Sequence, residues 1–465
     1  METETQPLKT PVSEKPFTWR FVAPLMWGST LNPINSSILA TALLGIATGL
    51  NVTLAEATTL VAAVYLASAV GQPTMGKLAT HFGPRRVFVS GMSVVAVGGL
   101  VGWLAPNIAW LLVSRLLIGI GTSAGYPTAM TMIRQRVDTF QTGVPGNVLG
   151  SLSIAGQVTT ALGLPLGGVL VGLFGWRAVF FINIPLALIG ITGTLVWVPR
   201  DVIKPGQRRG SLLQALDPLG ITLFAGSIIG LLVFLQNLKE PLWWLGAVVV
   251  VFLGAFIAWE RQAKIPFVDI PMLSRNRPLQ RTYLRNFLAL TALYLALYGL
   301  SQWMEQSLAL SATTVGLVLL PLTLVAIAIT AIVSRRNLMR GPLLITGVCI
   351  IASGVTLIFV NSQTSIAVMV GLSIIMGLAS GLGNIGNQLT LYQQSPSSEI
   401  GVAAGLLRAS TNVGAIFSSS IIALAFGKAA TDGGLHNIAY AFSVLGIIVF
   451  LMVAFDRAIP WKATR

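Results

Sequence analysis

In the apolar stretch that begins at Phe21, Ser29, Asn32, Asn35 and Ser36 recur at three- and four-residue intervals, so a helix places them on one face. A second set, Thr291, Tyr294, Tyr298, Ser301, Gln302 and Glu305, forms a stripe over about four helical turns. A third set is Asn384, Asn387 and Gln388. All of these side chains can exchange hydrogen bonds with a small molecule, and Glu305 can also take up and release a proton. Arg115 and Arg408 stand inside apolar runs, where a guanidinium must find water, a carbonyl or an acid. Two readings are open for each polar residue: the lining of a path through the membrane, or hydrogen-bond glue between helices. Glu305 is either a proton site or a rim carboxylate facing water, and each arginine either meets a partner or snorkels to the nearer interface.

The elements that position these residues are membrane helices. The chain has 465 residues, of which 54% are hydrophobic and 9% charged, with a mean hydropathy of +0.81, a composition of no soluble class. Apolar runs long enough to cross about 30 Å of hydrocarbon recur from Phe21 to Phe455. The expected spans are 21–46, 57–77, 86–104, 109–132, 146–173, 177–198, 216–237, 241–260, 284–306, 312–333, 342–360, 365–392, 400–427 and 437–457. Each run is continuously apolar rather than alternating, which predicts helices and not a barrel.

The formal charge of +15 does not mark a nucleic-acid-binding face, because the basic residues lie in the tails and in alternate loops. The exceptions are Arg177, Lys239 and Lys428 in the opposite loops and Arg115 and Arg408 within spans. This distribution predicts a multi-pass membrane protein with both termini cytoplasmic. The first twenty residues are polar and mixed in charge, and no cleavable signal peptide is expected. Cys349 is the only cysteine, so no intramolecular disulfide can form.

Two linkers with distinct composition divide the chain. A tail over 1–20 leads into six spans over 21–198. A linker over 199–215, two further spans over 216–260 and a linker over 261–283 follow. Six spans over 284–457 and a tail over 458–465 complete the plan. Six plus six with an inserted hairpin is an arrangement that internal duplication produces in transporters.

Several local patterns carry a family resemblance. In "GKLATHFGPRRVFVSG", Gly76, Leu78, Ala79, Gly83, Arg85 and Arg86 match a loop signature G-x-L-A-D-R-x-G-R-R, with Thr80 in place of its Asp. In "SRLLIGIGTSAG", Arg115, Gly119 and Gly121 match R-x-x-x-G-x-G. "GLPLGGVLVGLFGW" holds Gly163, Pro165, Gly167 and Gly168 in a variant of G-P-x-x-G-G, with the proline displaced by one. Trp176, Arg177, Phe180, Asn183 and Pro185 follow it as W-R-x-x-F-x-I-N-x-P. "INSSILATAL" lines up with L-D-x-T-x-x-N-x-A-L-P, with Asn35 at the acid's position. Together these resemble the major facilitator superfamily, and within it the fourteen-helix drug:proton antiporter branch.

The resemblance implies an all-α major facilitator fold, two six-helix bundles plus two inserted helices. It implies that spans one and four line a cavity from one bundle and spans nine and twelve from the other. Asn32, Asn35, Ser36, Tyr126, Tyr294, Tyr298, Gln302, Asn384, Asn387 and Gln388 are then the expected substrate contacts; the resemblance ties Arg115 to proton coupling, as modulator, and Glu305, the one acid on a polar stripe, is the expected proton site. Gly76, Thr80, Gly83, Arg85 and Arg86 are expected to lock one conformation, and the Gly163–Gly168 segment to bend or pack closely. The chain shows no catalytic dyad, metal-ligand set or nucleotide-binding loop, so an enzyme or sensor is disfavoured and no cofactor is expected. The expected partners are a small molecule, protons and the bilayer, with the protein acting as a monomer. The leading expectation is proton-driven export of amphipathic compounds by alternating access. The alternative is a facilitator or importer of a neutral or anionic metabolite, since Asn35 cannot carry a proton and buried acids are scarce.

Overall fold

The computed structural model describes residues 16–201, 217–236, 242–427 and 429–463. Most of the 1–20 tail and of the 199–215 linker, with Lys239 and Lys428, lies outside the described residues. The described chain is helical, with helices in the order α1 (Trp19–Leu50), α2 (Leu54–Phe82), α3 (Pro84–Trp103), α4 (Ile108–Phe140), α5 (Gly146–Phe174) and α6 (Ala178–Trp197). The inserted pair is α7 (Pro218–Gln236) and α8 (Trp243–Glu260). The series resumes with α9 (Arg277–Ser307), α10 (Ala312–Arg336), α11 (Arg340–Ile358), α12 (Ile366–Gln394), α13 (Ile400–Phe426) and α14 (Asp432–Ala454). Thirteen of these helices are long and apolar enough to cross a membrane. α2 is the fourteenth, packed against α4 and α13.

The duplication that the sequence displays only as a count is visible in the packing. In the first bundle α1 packs on α5, α2 on α4 and α3 on α6; in the second α9 packs on α13, α10 on α12 and α11 on α14. The bundles join through two equivalent seams, α2 against α13 and α10 against α5. α7 and α8 pack on each other, and α7 lies outside the first seam against α2 and α13. Ser420 of α13 donates to the Leu235 carbonyl of α7, 2.8 Å, which ties the hairpin to the seam.

Local chemistry explains several helix ends. Thr53 and Glu56 form a reciprocal capping box at the start of α2. Gly83, at φ +95°, ends α2 in a conformation that disfavours any side chain. α3 then begins on Pro84, with the Asp201 carboxylate accepting from the Arg85 and Arg86 backbone N–H groups, 3.0 and 3.1 Å. α9 begins at Arg277, earlier than the expected 284, because Asn276 caps it and Pro278 favours a first turn. Arg281 therefore stands on a helix instead of in a linker, one turn before Arg285.

The two described chain ends lie on one face. Pro16 accepts from Arg136 of α4, and Lys462 pairs with Leu338, between α10 and α11. On this half of the molecule one apolar core unites both bundles, from Leu25, Phe88 and Met130 to Ile385, Tyr392 and Leu407. On the other half the cores are separate: Ile38, Leu60 and Phe180 in the first bundle, Trp303, Ile350 and Phe442 in the second. The bundles are thus sealed on the face of the termini and part toward the opposite face.

Candidate functional site

Small residues make the seal. A Cβ on Gly76 of α2 would lie 2.3 Å from the Gly401 carbonyl group of α13, and one on Gly405 would lie 2.5 Å from the Gln72 carbonyl oxygen. Backbone therefore meets backbone across the first seam, an approach that only glycine permits. Thr80 donates to its own α2 at Gly76, 3.2 Å, and more weakly to Ser398 of the facing segment, 3.5 Å. At the edge of this seam the Glu399 carboxyl is pushed up from its ordinary range by burial, with Lys77 opposing and Asp269 reinforcing the shift.

Side-chain bonds between the bundles complete the closure. Ser153 of α5 donates to Asn384 Oδ1 of α12, 3.0 Å, and Gln157 to Thr330 of α10, 3.3 Å. Gln388 of α12 donates to the Tyr126 hydroxyl of α4, 2.8 Å. Arg134 of α4 donates to Ser397, 2.9 Å, and to the Tyr392 carbonyl, 3.3 Å. Each such bond contributes about 1 kcal/mol net, so the polar part of the seal is worth a few kcal/mol, a scale that ligand binding can overcome. Tyr126, Asn384 and Gln388, expected as substrate contacts, are here part of the closed floor.

Above the floor, toward the opposite face, lies a cavity of about 610 Å³. α2 contributes Tyr65, α9 contributes Tyr298, Ser301, Gln302 and Glu305, and α13 contributes Ala415 and Ser419. α9 changes from α to π geometry over Leu295–Leu300 before resuming at Ser301. The wider turn shifts the register in the middle of the polar stripe, and such turns recur at functional sites. The Tyr294 and Tyr298 rings stack with centroids 5.6 Å apart and planes at 16°. Tyr298 is 41% exposed and lines the cavity together with Tyr65 of α2. Glu305 and Gln302 are exposed on the cavity wall. Thr291, in contrast, is buried and bonded to its own helix at the Phe287 carbonyl, 2.9 Å.

The α1 stripe divides. Asn32 reaches Ser68 of α2 and Thr122 of α4, 2.7 and 3.1 Å, and remains half-buried with Ser36. The expectation that Asn35 lines the cavity is corrected. It is 4% exposed and donates to Asn183 Oδ1 of α6, 2.7 Å, so two of the motif residues read separately in sequence hold each other inside the bundle. Ser37 packs against Gly163, and Thr41 and Ile38 against Gly167, in the tight α1–α5 contact. Gly168 has open space beside it and Pro165 is exposed, while α5 runs through both without a break, so the expected close contact stops at Gly167.

The arginines also differ from simple expectation. Arg115 does not snorkel: it is 1% exposed and donates to the carbonyls of Leu60, 3.4 Å, and Asn35, 3.3 Å, bracing α4 against α2 and α1. Arg85 meets the C-terminal carbonyls of α6 at Thr194 and Leu195, within its own bundle, and Arg86 is exposed. Of the loop-signature residues, Gly76 and Thr80 are the ones that meet the second bundle. Arg408 of α13 reaches across the bundles to lie over the Tyr126 ring, 4.2 Å from its centroid.

Two residues were not read from sequence. Arg285 is fully buried in α9 and donates to Asn387 Oδ1, 2.7 Å, and to Thr282, 3.1 Å. This commits Asn387 to the interior of the second bundle instead of the cavity. A four-residue interval from Arg281 was the available signal. Tyr65, in the middle of the second span, was marked only by being polar in an apolar run.

Two equivalent six-helix bundles that close on one face and part around a polar cavity on the other define a secondary membrane transporter. The chain matches the sequence profile of the Major Facilitator Superfamily over residues 25–419, and it belongs to that family. It is 32% identical to the uncharacterized MFS-type transporter YwoD of Bacillus subtilis (strain 168), over 93% of this chain and 94% of that one. It is 27% identical to the tetracenomycin C resistance and export protein of Streptomyces glaucescens, over 91% of this chain and 79% of that one. In fold it is similar to the human organic anion transporter MFSD10 (TETRAN), with a TM-score of 0.66 at 16% identity, covering 93% and 99% of the two chains. The proton:xylose symporter XylE is similar too, with a TM-score of 0.65 at 14% identity and 94% of each chain covered. The protein is thus a multi-pass membrane transporter of small molecules, in a family of transporters and not of enzymes.

Proposed function

We propose that this chain exports small amphipathic compounds in exchange for protons, as a monomer of the fourteen-helix drug:proton antiporter branch in a bacterial inner membrane. The observation that carries the reading is the pairing of a closed, arginine-rich face with a polar, aromatic cavity open on the other side. Taking the arginine-rich face as cytoplasmic, by the positive-inside rule, makes this the outward-facing state, from which an exporter releases its load. The relative named for tetracenomycin C resistance and export supports the direction.

In this reading Tyr294, Tyr298 and Gln302 contact the substrate in the outward state, with Asn32 and Ser36 on the facing bundle. Tyr126, Asn384 and Gln388 join when the floor opens. Glu305, a carboxylate on the cavity wall, exchanges the proton, and Arg115 couples α4 to the two helices it braces. The second reading, a facilitator or importer without carboxylate-based coupling, is favoured by the exposure of Glu305 and by its being the one Asp or Glu lining the cavity among the described residues. Reconstitution into vesicles with an imposed pH gradient separates the two. Uncoupler-sensitive accumulation of an amphipathic dye supports antiport, and equilibration indifferent to the gradient contradicts it. Glu305→Gln abolishes the gradient dependence if Glu305 is the proton site; if the dependence survives, only that assignment falls.

A further inference from the structure

Two helical turns before Ala415, which lines the cavity, α13 carries Arg408, a cation with no ion-pair partner among the described residues. Arg408 belongs to the second bundle, yet its guanidinium lies over the Tyr126 ring of the first, so it sits between the two. Asn286 of α9 fixes the backbone beside it, donating to the Leu407 carbonyl, 3.3 Å, and to Ser410, 3.0 Å. The two ion pairs among the described residues, Arg134 with Asp138 and Arg281 with Asp456, involve other residues near the face of the termini. A half-buried guanidinium with five donors, facing an aromatic ring and paired with no carboxylate among the described residues, suits an anion.

The walls above it suit an aromatic body. Tyr298 lines the cavity with its ring stacked on Tyr294, and Tyr65 lines it from α2. Phenolic O–H groups can donate to an oxyanion, and ring faces can pack on a flat apolar ligand. Glu305 follows Tyr298 by seven residues, about two helical turns nearer the mouth, where water screens it. Charge along the path therefore runs from negative at the rim to positive at the floor, which draws an anion inward and turns an organic cation back at depth.

We propose that this transporter takes an organic anion with an aromatic body, its charge received by Arg408 and its ring packed against the Tyr294–Tyr298 pair. The inference rests on the transport reading and assigns that site its substrate class. A soluble carboxylate and the headgroup of an anionic lipid share this chemistry.

The test is binding to the full chain in zwitterionic lipid nanodiscs, with three matched probes: naphthoate, naphthamide and naphthylmethylammonium, titrated by calorimetry at low and high salt. The expected order is anion, then neutral, then cation, with roughly tenfold preference for naphthoate over naphthamide that weakens in salt. Arg408→Gln removes the preference, and Arg408→Lys retains most of it, which separates lost charge from lost fold. Weaker naphthoate binding in discs containing phosphatidylglycerol supports the same site filled from the bilayer; unchanged binding supports a soluble anion. Equal or tighter binding of the cation, an anion preference that survives Arg408→Gln, or no binding of any probe overturns the proposal. Binding needs no gradient, so these results count against the substrate class, whereas failure of pH-driven movement in vesicles counts against the transport reading.

Discussion

Replacing Gly76 by alanine adds one methyl group at the narrowest point of the α2–α13 seam. The new Cβ would lie 2.3 Å from both the carbonyl carbon and oxygen of Gly401 and 2.6 Å from the Val402 nitrogen. Ordinary contact begins near 3.4 Å, so the helices must separate by about 1 Å, and because the opposing atoms are backbone no rotamer can yield instead. Overpacking of this kind costs ~1–3 kcal/mol, all charged to the closed state, which raises the open fraction about 5- to 150-fold. Thr131 of α4 reports the change: it is 5% exposed beneath the same seam, with its hydroxyl 2.6 Å from where a Gly401 Cβ would stand. In a Cys349→Ser background, which is free of other thiols, Thr131→Cys is alkylated by a membrane-impermeant maleimide only when the seam opens. The expected result is acceleration within that range for Gly76→Ala and none for Gly168→Ala, whose methyl meets nothing within 4 Å. Equal rates in all three proteins would refute the assignment of Gly76 as the contact that holds this face closed.

The glycines of α5 separate in stability as well: Gly167→Ala, aimed at the Ile38 backbone, lowers the melting temperature, whereas Gly172→Ala, in open space, leaves it unchanged. Thermal exposure of the buried thiol of Cys349 to a maleimide dye reads both. Asn35→Leu and Asn183→Leu each leave one buried amide without its partner and cost ~1–3 kcal/mol, while the double substitution costs less than the sum; strict additivity in a chemical denaturation cycle would contradict a direct bond. The raised carboxyl of Glu399 binds its proton more tightly in the folded chain than in the unfolded one, so its contribution to stability falls as pH rises from the ordinary glutamate value through the raised folded one. Glu399→Gln therefore shows no advantage at the acid end and a growing advantage across that window; a constant offset at all pH values would contradict the shift.

What was legible in the sequence follows from what a bilayer enforces. The helical class and the many spans derive from long apolar runs, which leave few alternatives. The polar stripe on α9 was also legible, because a three- to four-residue interval survives the shift of register at Leu295–Leu300 and still leaves Tyr298, Ser301, Gln302 and Glu305 on the cavity wall. The neighbours of each face were not legible. Asn32 and Asn35 are three residues apart, yet one is half-buried toward α2 and α4 and the other is enclosed against α6. That difference is decided by helix packing, of which the α1 sequence contains only one side. Gly167 and Gly168 illustrate the same limit, since adjacent glycines point about 100° apart and only one faces α1. The Arg115 carbonyl partners were invisible because a backbone acceptor has no letter of its own.

Alternating access itself is tested most directly by distances on both faces at once. Spin labels at Arg86→Cys and Ser398→Cys span the two bundles on the face of the termini, and labels at Leu104→Cys and Gln363→Cys span them on the opposite face; all four positions are exposed. Compared in nanodiscs with and without Gly76→Leu, the labelled proteins are predicted to show a second population in the glycine variant, longer on the face of the termini and shorter on the opposite face in equal proportion. A lengthening on one face with no shortening on the other would mean that the seam breaks without rocking, and would contradict the account.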